Sequence, residues 1–198
     1  MTAVRTVSGK AVSLPLDDID TDVIFPARYL LHTEKKGLGR FAFHDRPEIV
    51  AAFEAAGHPQ ILVAGANFGC GSSREHAVWA LAGLGLRAVI APSFGEIFRG
   101  NCANNAVIAA AVDARHIGGL HAAAAAGGEI AVDLEAQEVR ADTLAVPFAI
   151  PAGDREMLLE GWNTTTRLLA LHGEAIAHFE NRQRAERPWL WNKDETTP

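Results

Sequence analysis

Ile61-Leu62-Val63-Ala64-Gly65-Ala66-Asn67-Phe68-Gly69-Cys70-Gly71-Ser72-Ser73-Arg74-Glu75-His76 is the stretch on which the fold turns. Four unbroken apolar residues bounded by a glycine predict a short strand buried on both faces. The glycine-rich segment from Gly65 to Gly71 then reverses the chain. Ser72 or Ser73 is placed to cap a helix running to about Leu84, with Glu75 in its first turn. The same pattern repeats downstream. Ala88–Ala91 reads as a second buried strand stopped by Pro92, and Ser93 can cap a helix containing Ile97 and Phe98. Val107–Val112 is a third apolar run, followed by a helix over Ile117–Ala126 that ends at Gly127-Gly128. Strand, helix, strand, helix, strand predicts a parallel sheet with right-handed crossovers.

Upstream, the alternating segment Thr6–Leu14 reads as a strand, followed by the acidic loop Asp17-Asp18-Ile19-Asp20-Thr21-Asp22. Leu31–Gly39 is polar and carries Lys35-Lys36 and two glycines, which predicts a mobile loop. Pro47–Ala56 has proline in a first helical turn and Gly57 at its end, the expected helix punctuation. Beyond the parallel unit, Glu129–Leu134 and Glu138–Ala141 predict a hairpin about Glu135-Ala136-Gln137, and Leu144–Ile150 another strand. The tail from about Gly153 to Arg184 has helical periodicity, with Leu158, Leu168, Leu171, Ile176 and Phe179 as its apolar positions.

Composition narrows the function classes. The chain has 198 residues, 48% hydrophobic and 21% charged, which fits one globular domain or a domain with an appendage. Its net charge of −6 leaves no basic surplus for a phosphate backbone, so a nucleic-acid partner is not expected. No apolar run is long enough to span a bilayer, and residues 1–10 lack the apolar core of a signal peptide. Two cysteines, Cys70 and Cys102, cannot make a disulfide framework or, alone, ligate an iron–sulfur cluster or structural zinc. No membrane partner and a reduced cytoplasmic setting are therefore the expectation.

The glycine-rich turn carries the chemistry. Free N–H groups at a strand-to-helix turn, with the helix dipole behind them, suit an anion, and glycine lets the backbone approach it closely. Ser72 and Ser73 add hydroxyls, and Arg74 adds a fork that matches a carboxylate. A tight turn with a Ser-capped helix and a surface arginine fits the same residues. The absence of Gly-Lys-Ser/Thr excludes a P-loop, and Gly69-Cys70-Gly71 lacks the third glycine of the dinucleotide fingerprint. No Gly-x-Ser-x-Gly surrounds Ser72, so an esterase elbow is unsupported. His76 could share a helix face with Ser72, but a structural role suits it better.

Asp18, Asp20 and Asp22 alternate as in an EF-hand loop. Val23 stands where glycine is needed and Tyr29 where glutamate is needed, so calcium is rejected. Such a loop is expected to cap neighbouring backbone N–H groups. Asn101, Asn104 and Asn105 read as helix-terminal capping residues. Cys70, near a helix start and Arg74, has no His–Asn pattern to make it a hydrolase nucleophile, and is read as a small packing residue.

The string Gly65-Ala66-Asn67-Phe68-Gly69-Cys70-Gly71-Ser72-Ser73-Arg74-Glu75-His76-Ala77 resembles the signature of the swivelling domain of the aconitase superfamily. Asp20-Thr21-Asp22-Val23-Ile24-Phe25-Pro26 resembles that family's Asp-Thr-Asp-x-Ile-x-Pro motif, and Ser93-Phe94-Gly95-Glu96-Ile97-Phe98 its Ser-Phe-x-Asp/Glu-Ile-Phe segment with Asn101 following. At this length, and without a cluster-binding region, the chain is similar to the small-subunit family of 3-isopropylmalate dehydratases over about residues 5–190. Asp133–Val139 and Arg187-Pro188-Trp189 look like the bacterial members. The resemblance implies an α/β fold: one swivelling β/β/α domain spanning residues 1–198, its partly parallel sheet flanked by helices, with residues 153–190 as a helical C-terminal extension.

The resemblance also implies a hydro-lyase in leucine biosynthesis that isomerises 2-isopropylmalate and 3-isopropylmalate by dehydration and rehydration. A large subunit would carry the [4Fe-4S] cluster as a Lewis acid, and this chain would bind no cofactor or metal itself. Ser72 matches the base that takes the carbon-bound proton, and Arg74 matches the ligand of a substrate carboxylate. Ser73 and Gly71 would position substrate or base, and Lys35 lies in the loop that meets the variable substituent. In bacterial relatives that loop usually carries Arg-Thr-Gly-Phe where this chain has Lys35-Lys36-Gly37-Leu38. Val107-Ile108-Ala109 replaces Leu-Leu-Pro, and Asn163-Thr164-Thr165-Thr166-Arg167-Leu168-Leu169 replaces Asp-x-Ile-Gly-Leu-Thr-Leu. These departures bear on which dicarboxylate is taken, so a citraconate, dimethylmaleate or homoaconitate-type hydratase is an alternative. A non-catalytic anion-binding domain is a third.

Overall fold

The computed structural model describes residues 1–32 and 34–191. Among these, strands β1 (Thr6–Leu14), β2 (Ile61–Ala64), β3 (Ala88–Ala91) and β4 (Ile108–Val112) run parallel to one another. Strands β5 (Glu129–Asp133), β6 (Glu138–Ala141) and β7 (Leu144–Ala149) form an antiparallel meander. β2, β3 and β4 are the predicted parallel set, and β1 joins it as a fourth strand. Its edges, however, do not stay open. β7 pairs antiparallel with β4, and β5 pairs antiparallel with β1, so the order β1-β2-β3-β4-β7-β6-β5 closes into a barrel. Closure removes both sheet edges and satisfies the backbone groups they would have left unpaired.

Closure also explains the unbroken apolar strands. Side chains alternate across a strand, so Leu62 and Ala64 enter one core cluster while Ile61 and Val63 enter the other. β2 and β3 are buried at every position, which is why neither shows polar alternation. The first cluster is packed by Phe53 from α2 (Pro47–Ala56), Leu81 from α3 (Glu75–Gly83) and Phe98 from α4 (Glu96–Asn104). The second gathers Ile130, Val139 and Phe148 from the meander. It also takes Leu120 from α5 (Ala114–Ala125) and Leu158 from α6 (Ala152–Glu160). A fully buried leucine such as Leu81 contributes roughly 1.5–3 kcal/mol over its exposed state.

The tail is two helices. α6 ends at Gly161, and α7 (Thr164–Glu186) begins three residues later. Residues 1–163 form one compact unit and the chain from Thr164 a second. A one-turn helix, Thr21–Ile24, follows β1, and a 3-10 turn, Leu38–Phe41, follows the Lys35 segment. The predicted mobile loop is thus tied down at its end, with Leu38 2% exposed and Gly39 packed on the Gly83 backbone.

The loops at the carboxyl ends of β1, β2 and β3 are laced together. Asp20 and Cys70 form an isolated parallel bridge, and so do Phe68 and Phe94. Carboxyl ends of parallel strands are where open α/β sheets bind ligands. All three motifs singled out in the sequence meet there.

Candidate active site

Helix α3 starts at Glu75, with Arg74 at the cap position and no side-chain capping hydrogen bond. Ser72 and Ser73 therefore do not cap it, contrary to the sequence expectation. The reason is a competitor from a distant loop. Thr21 Oγ1 accepts the Ser72 N–H at 3.2 Å and lies 3.0 Å from Ser72 Oγ. The Thr21 N–H in turn donates to the Cys70 carbonyl at 2.9 Å. Gly71, at φ +93°, supplies the left-handed turn that brings Ser72 beside Thr21. Ser72 stays exposed at the turn, while Thr21 is 1% exposed.

The acidic loop does more than cap its own backbone. Asp20 does cap, accepting the Val23 N–H at 2.7 Å. Asp17 accepts the Ala66 N–H at 2.6 Å, and Asp18 accepts from the Asn67 side chain at 2.8 Å. Asp22 pairs with Arg74. The guanidinium holds the Asp22 carboxyl below its ordinary range. The Arg74 side chain keeps only 20% of its exposure and Asp22 keeps 53%, so the pair is open to solvent on the carboxylate side.

A second hydrogen-bonded group flanks the first. Asn105 donates to Glu75 Oε1 at 2.6 Å and to the Asn101 carbonyl at 2.8 Å. Lys35 donates to Asn105 Oδ1 at 2.9 Å, with its Nζ 4.9 Å above the Trp79 ring. Asn101 reaches the Ser73 carbonyl at 3.4 Å, which joins the two groups. The asparagines thus do not all serve as caps: Asn101 lies inside α4, while Asn104 is its last residue and Asn105 follows at the cap position. The predicted residues Gly71, Ser72, Ser73 and Arg74 fall at one place, and Lys35 is linked to them through Asn105 and Asn101. Thr21 and Asp22 are the members the residue types alone did not single out. Only the order of the Asp-Thr-Asp segment pointed to that loop.

Neither cysteine suits nucleophilic chemistry. Burial, with Asp20 and Asp18 nearby, pushes the Cys70 thiol up, and burial pushes the wholly enclosed Cys102 thiol up further. No group of three or more His, Cys, Asp or Glu among the described residues could hold a metal ion. A cavity of about 940 Å³ is lined by Lys35, Trp79, Arg87 and Asn105, but by neither Ser72 nor Arg74.

Residues 34–115 match the family model of the aconitase C-terminal domain. Residues 171–192 match that of the C-terminal domain of 3-isopropylmalate dehydratase small subunits. The chain is 42% identical over 195 residues to a 3-isopropylmalate dehydratase small subunit of Rhodospirillum centenum, covering 92% of this chain and 96% of that one. The chain belongs to the 3-isopropylmalate dehydratase small-subunit family. A second member, small subunit 1 of Chromobacterium violaceum, is 39% identical over 96% of this chain and 94% of its own. A crystal structure of 3-isopropylmalate dehydratase from Methanocaldococcus jannaschii superposes with a TM-score of 0.68 at 30% identity. It covers 85% of this chain and 99% of its own, so the fold is that of the family and this chain is the longer of the two. No described helix is long and apolar enough to cross a membrane.

Proposed function

We propose that this chain is the small subunit of a cytoplasmic hydro-lyase that interconverts 2-isopropylmalate and 3-isopropylmalate in leucine biosynthesis, active only with its large subunit. The observation that carries the reading is Ser72. The residue is exposed at the turn, two positions before Arg74, and its hydroxyl is not spent as a helix cap but lies 3.0 Å from the Thr21 hydroxyl. Arg74 would hold one substrate carboxylate. Ser72, as its oxyanion, would take the proton from the carbon beside the hydroxyl-bearing one. The C–H electron pair becomes the second bond of the alkene as the hydroxyl leaves as hydroxide. Water then adds back with its hydroxyl on the carbon that lost the proton and its proton on the carbon that lost the hydroxyl, which gives the other isomer. Gly71 and Ser73 would shape the turn around the substrate, and Lys35 would stand toward its variable substituent. The described residues of this chain offer no donor set for a [4Fe-4S] cluster, which this reading assigns to the large subunit. The chain's own groups would then supply the proton transfer and the carboxylate clamp. An active site completed by a partner agrees with Ser72 lying outside the cavity beside Lys35. Residues 1–198 are taken as one swivelling domain with a C-terminal helical extension from about residue 153.

The test is Ser72→Ala in the anaerobically reconstituted two-subunit enzyme. Removing a base costs about 10²–10⁴-fold in kcat, and KM should change little because Arg74 is intact. A kcat within a few-fold of wild type would refute the assignment. Turnover of a hydroxyacid panel by the same complex checks the substrate: preference for a citraconate- or homoaconitate-type acid would overturn isopropylmalate.

A further inference from the structure

We infer that Thr21 is the positioning residue for Ser72, holding its oxygen in place and donating the hydrogen bond that favours its deprotonated form. This rests on the reading of Ser72 as the base. Among the described residues Thr21 is the only buried polar side chain, in a core otherwise made of apolar groups. Its hydroxyl is not buried idle. Oγ1 accepts the Ser72 N–H at 3.2 Å and faces Ser72 Oγ at 3.0 Å.

Proton inventory decides what the second contact does. A hydroxyl has one proton to donate and two lone pairs to accept with. The Ser72 N–H uses one lone pair of Thr21, which leaves the Thr21 proton free. While Ser72 is neutral, either oxygen can donate across the 3.0 Å gap. Once Ser72 is an oxyanion it has no proton, and the contact survives only with Thr21 as donor. Hydrogen bonds to charged acceptors are roughly twice as strong as neutral ones. The contact is therefore stronger in the state that removes the substrate proton than in the resting state, which is the condition for an interaction to raise kcat.

Thr21 is itself immobilised. Its N–H donates to the Cys70 carbonyl at 2.9 Å, and its carbonyl accepts from the Phe25 N–H at 2.9 Å. Asp20 caps the one-turn helix that Thr21 begins. The β-branched side chain has few rotamers to explore. The Asp20–Cys70 bridge fixes this turn against the strand-to-helix turn carrying Ser72. The base and its donor are thus held by two loops that meet only in the fold.

The experiment uses the reconstituted two-subunit enzyme with Thr21→Val, Thr21→Ser, Ser72→Ala and the Thr21→Val/Ser72→Ala double variant. Thr21→Val, which keeps the shape and removes the hydroxyl, should lower kcat by about 10–100-fold, less than loss of the base, with KM within about three-fold. Thr21→Ser, which restores the hydroxyl, should recover kcat to within a few-fold of wild type. The double variant should be no slower than Ser72→Ala alone, because a residue acting through Ser72 has nothing left to act on. Wild-type-like kcat in Thr21→Val, or a full additive loss in the double variant, overturns the inference while leaving Ser72 as base. An undiminished kcat in Ser72→Ala instead overturns the parent reading. If Thr21→Val does not assemble, Thr21→Ala carries the same comparison. If neither assembles, the hydroxyl serves the fold and the inference falls.

Discussion

Gly95→Ala tests whether backbone contact between two loops holds the active turn in place. Gly95 precedes α4 at φ −58° and ψ 132°, angles that alanine adopts freely, so the substitution brings no dihedral strain. Space is the difficulty. A Cβ there would lie 2.4 Å from the Gly69 carbonyl oxygen, 2.9 Å from its carbon and 3.1 Å from Cys70 Cα. Carbon–oxygen contacts rest at about 3.3–3.6 Å, so the turn must retreat by about 1 Å. It cannot retreat freely. The Gly95 N–H donates to the Phe68 carbonyl at 2.9 Å, and the Phe68 N–H donates to the Ser93 carbonyl at 3.1 Å. Overpacking of this kind costs about 1–3 kcal/mol. The loss of unfolded-state freedom on replacing glycine offsets about 0.4–1 kcal/mol of it. The net is a loss of about 1–2 kcal/mol, or roughly 2–8 °C in Tm for a chain of this size. A 1 Å displacement three residues before Ser72 should also cost about 10²-fold in kcat. Gly118→Ala is the control. Gly118 lies inside α5 with nothing within 4 Å of its added Cβ, so stability should rise by about 0.5–1 kcal/mol and kcat should not change. Tm is read by thermal melting of the isolated chain, and kcat in the reconstituted enzyme. Gly95→Ala that matches Gly118→Ala in both would refute the claim that this close approach fixes the site.

Other outcomes follow from the same geometry. Arg74→Lys keeps the charge but loses the fork, so steady-state kinetics should show mainly a raised KM; a kcat collapse at unchanged KM would contradict a carboxylate clamp. The purified chain should show no iron–sulfur absorbance and no hydratase turnover, and should gain activity on mixing with a cluster-loaded large subunit; robust turnover alone would refute the division of labour. His121 lies 2.9 Å from Ser13 Oγ through Nδ1, and burial pulls its pKa below the ordinary 6.5. The folded state therefore favours the neutral ring, a contribution present above pH 6.5 and lost as pH falls through the lowered value. Melting at pH 7 and pH 5 should show a smaller acid-induced drop for His121→Gln than for wild type; equal drops would remove His121 as a cause.

What the sequence made legible was local. Thr6–Leu14, Pro47–Ala56, Ile61–Ala64 and Ala88–Ala91 form where their patterns place them, because glycine, proline or an abrupt polarity change ends each one. The barrel was not legible. It depends on Thr6 opposing Asp133 and Ala111 opposing Ala149, and no local pattern encodes a register across such distances. The tail helix divides at Gly161–Asn163, where a single glycine interrupts a periodic pattern without announcing a break. At the site, the glycine turn stood out through its composition. The start of α3 did not, since the serine-cap rule sees only neighbours in sequence and Thr21 arrives from 51 residues away.

The same limit explains the acidic loop. Taken alone, its aspartates suggest a cation or self-capping. In the fold three of them serve the glycine turn: Asp17 on the Ala66 N–H, Asp18 on Asn67, and Asp22 on Arg74. The first holds backbone, the second holds the Asn67 side chain, and the third holds the proposed clamp. An ion pair whose carboxylate is more than half exposed is worth only about 0–1 kcal/mol. It can orient the guanidinium without competing strongly for it. On the proposed reading, an incoming substrate carboxylate would exchange one weak partner of Arg74 for another, and its net binding energy would come from contacts that Asp22 cannot make.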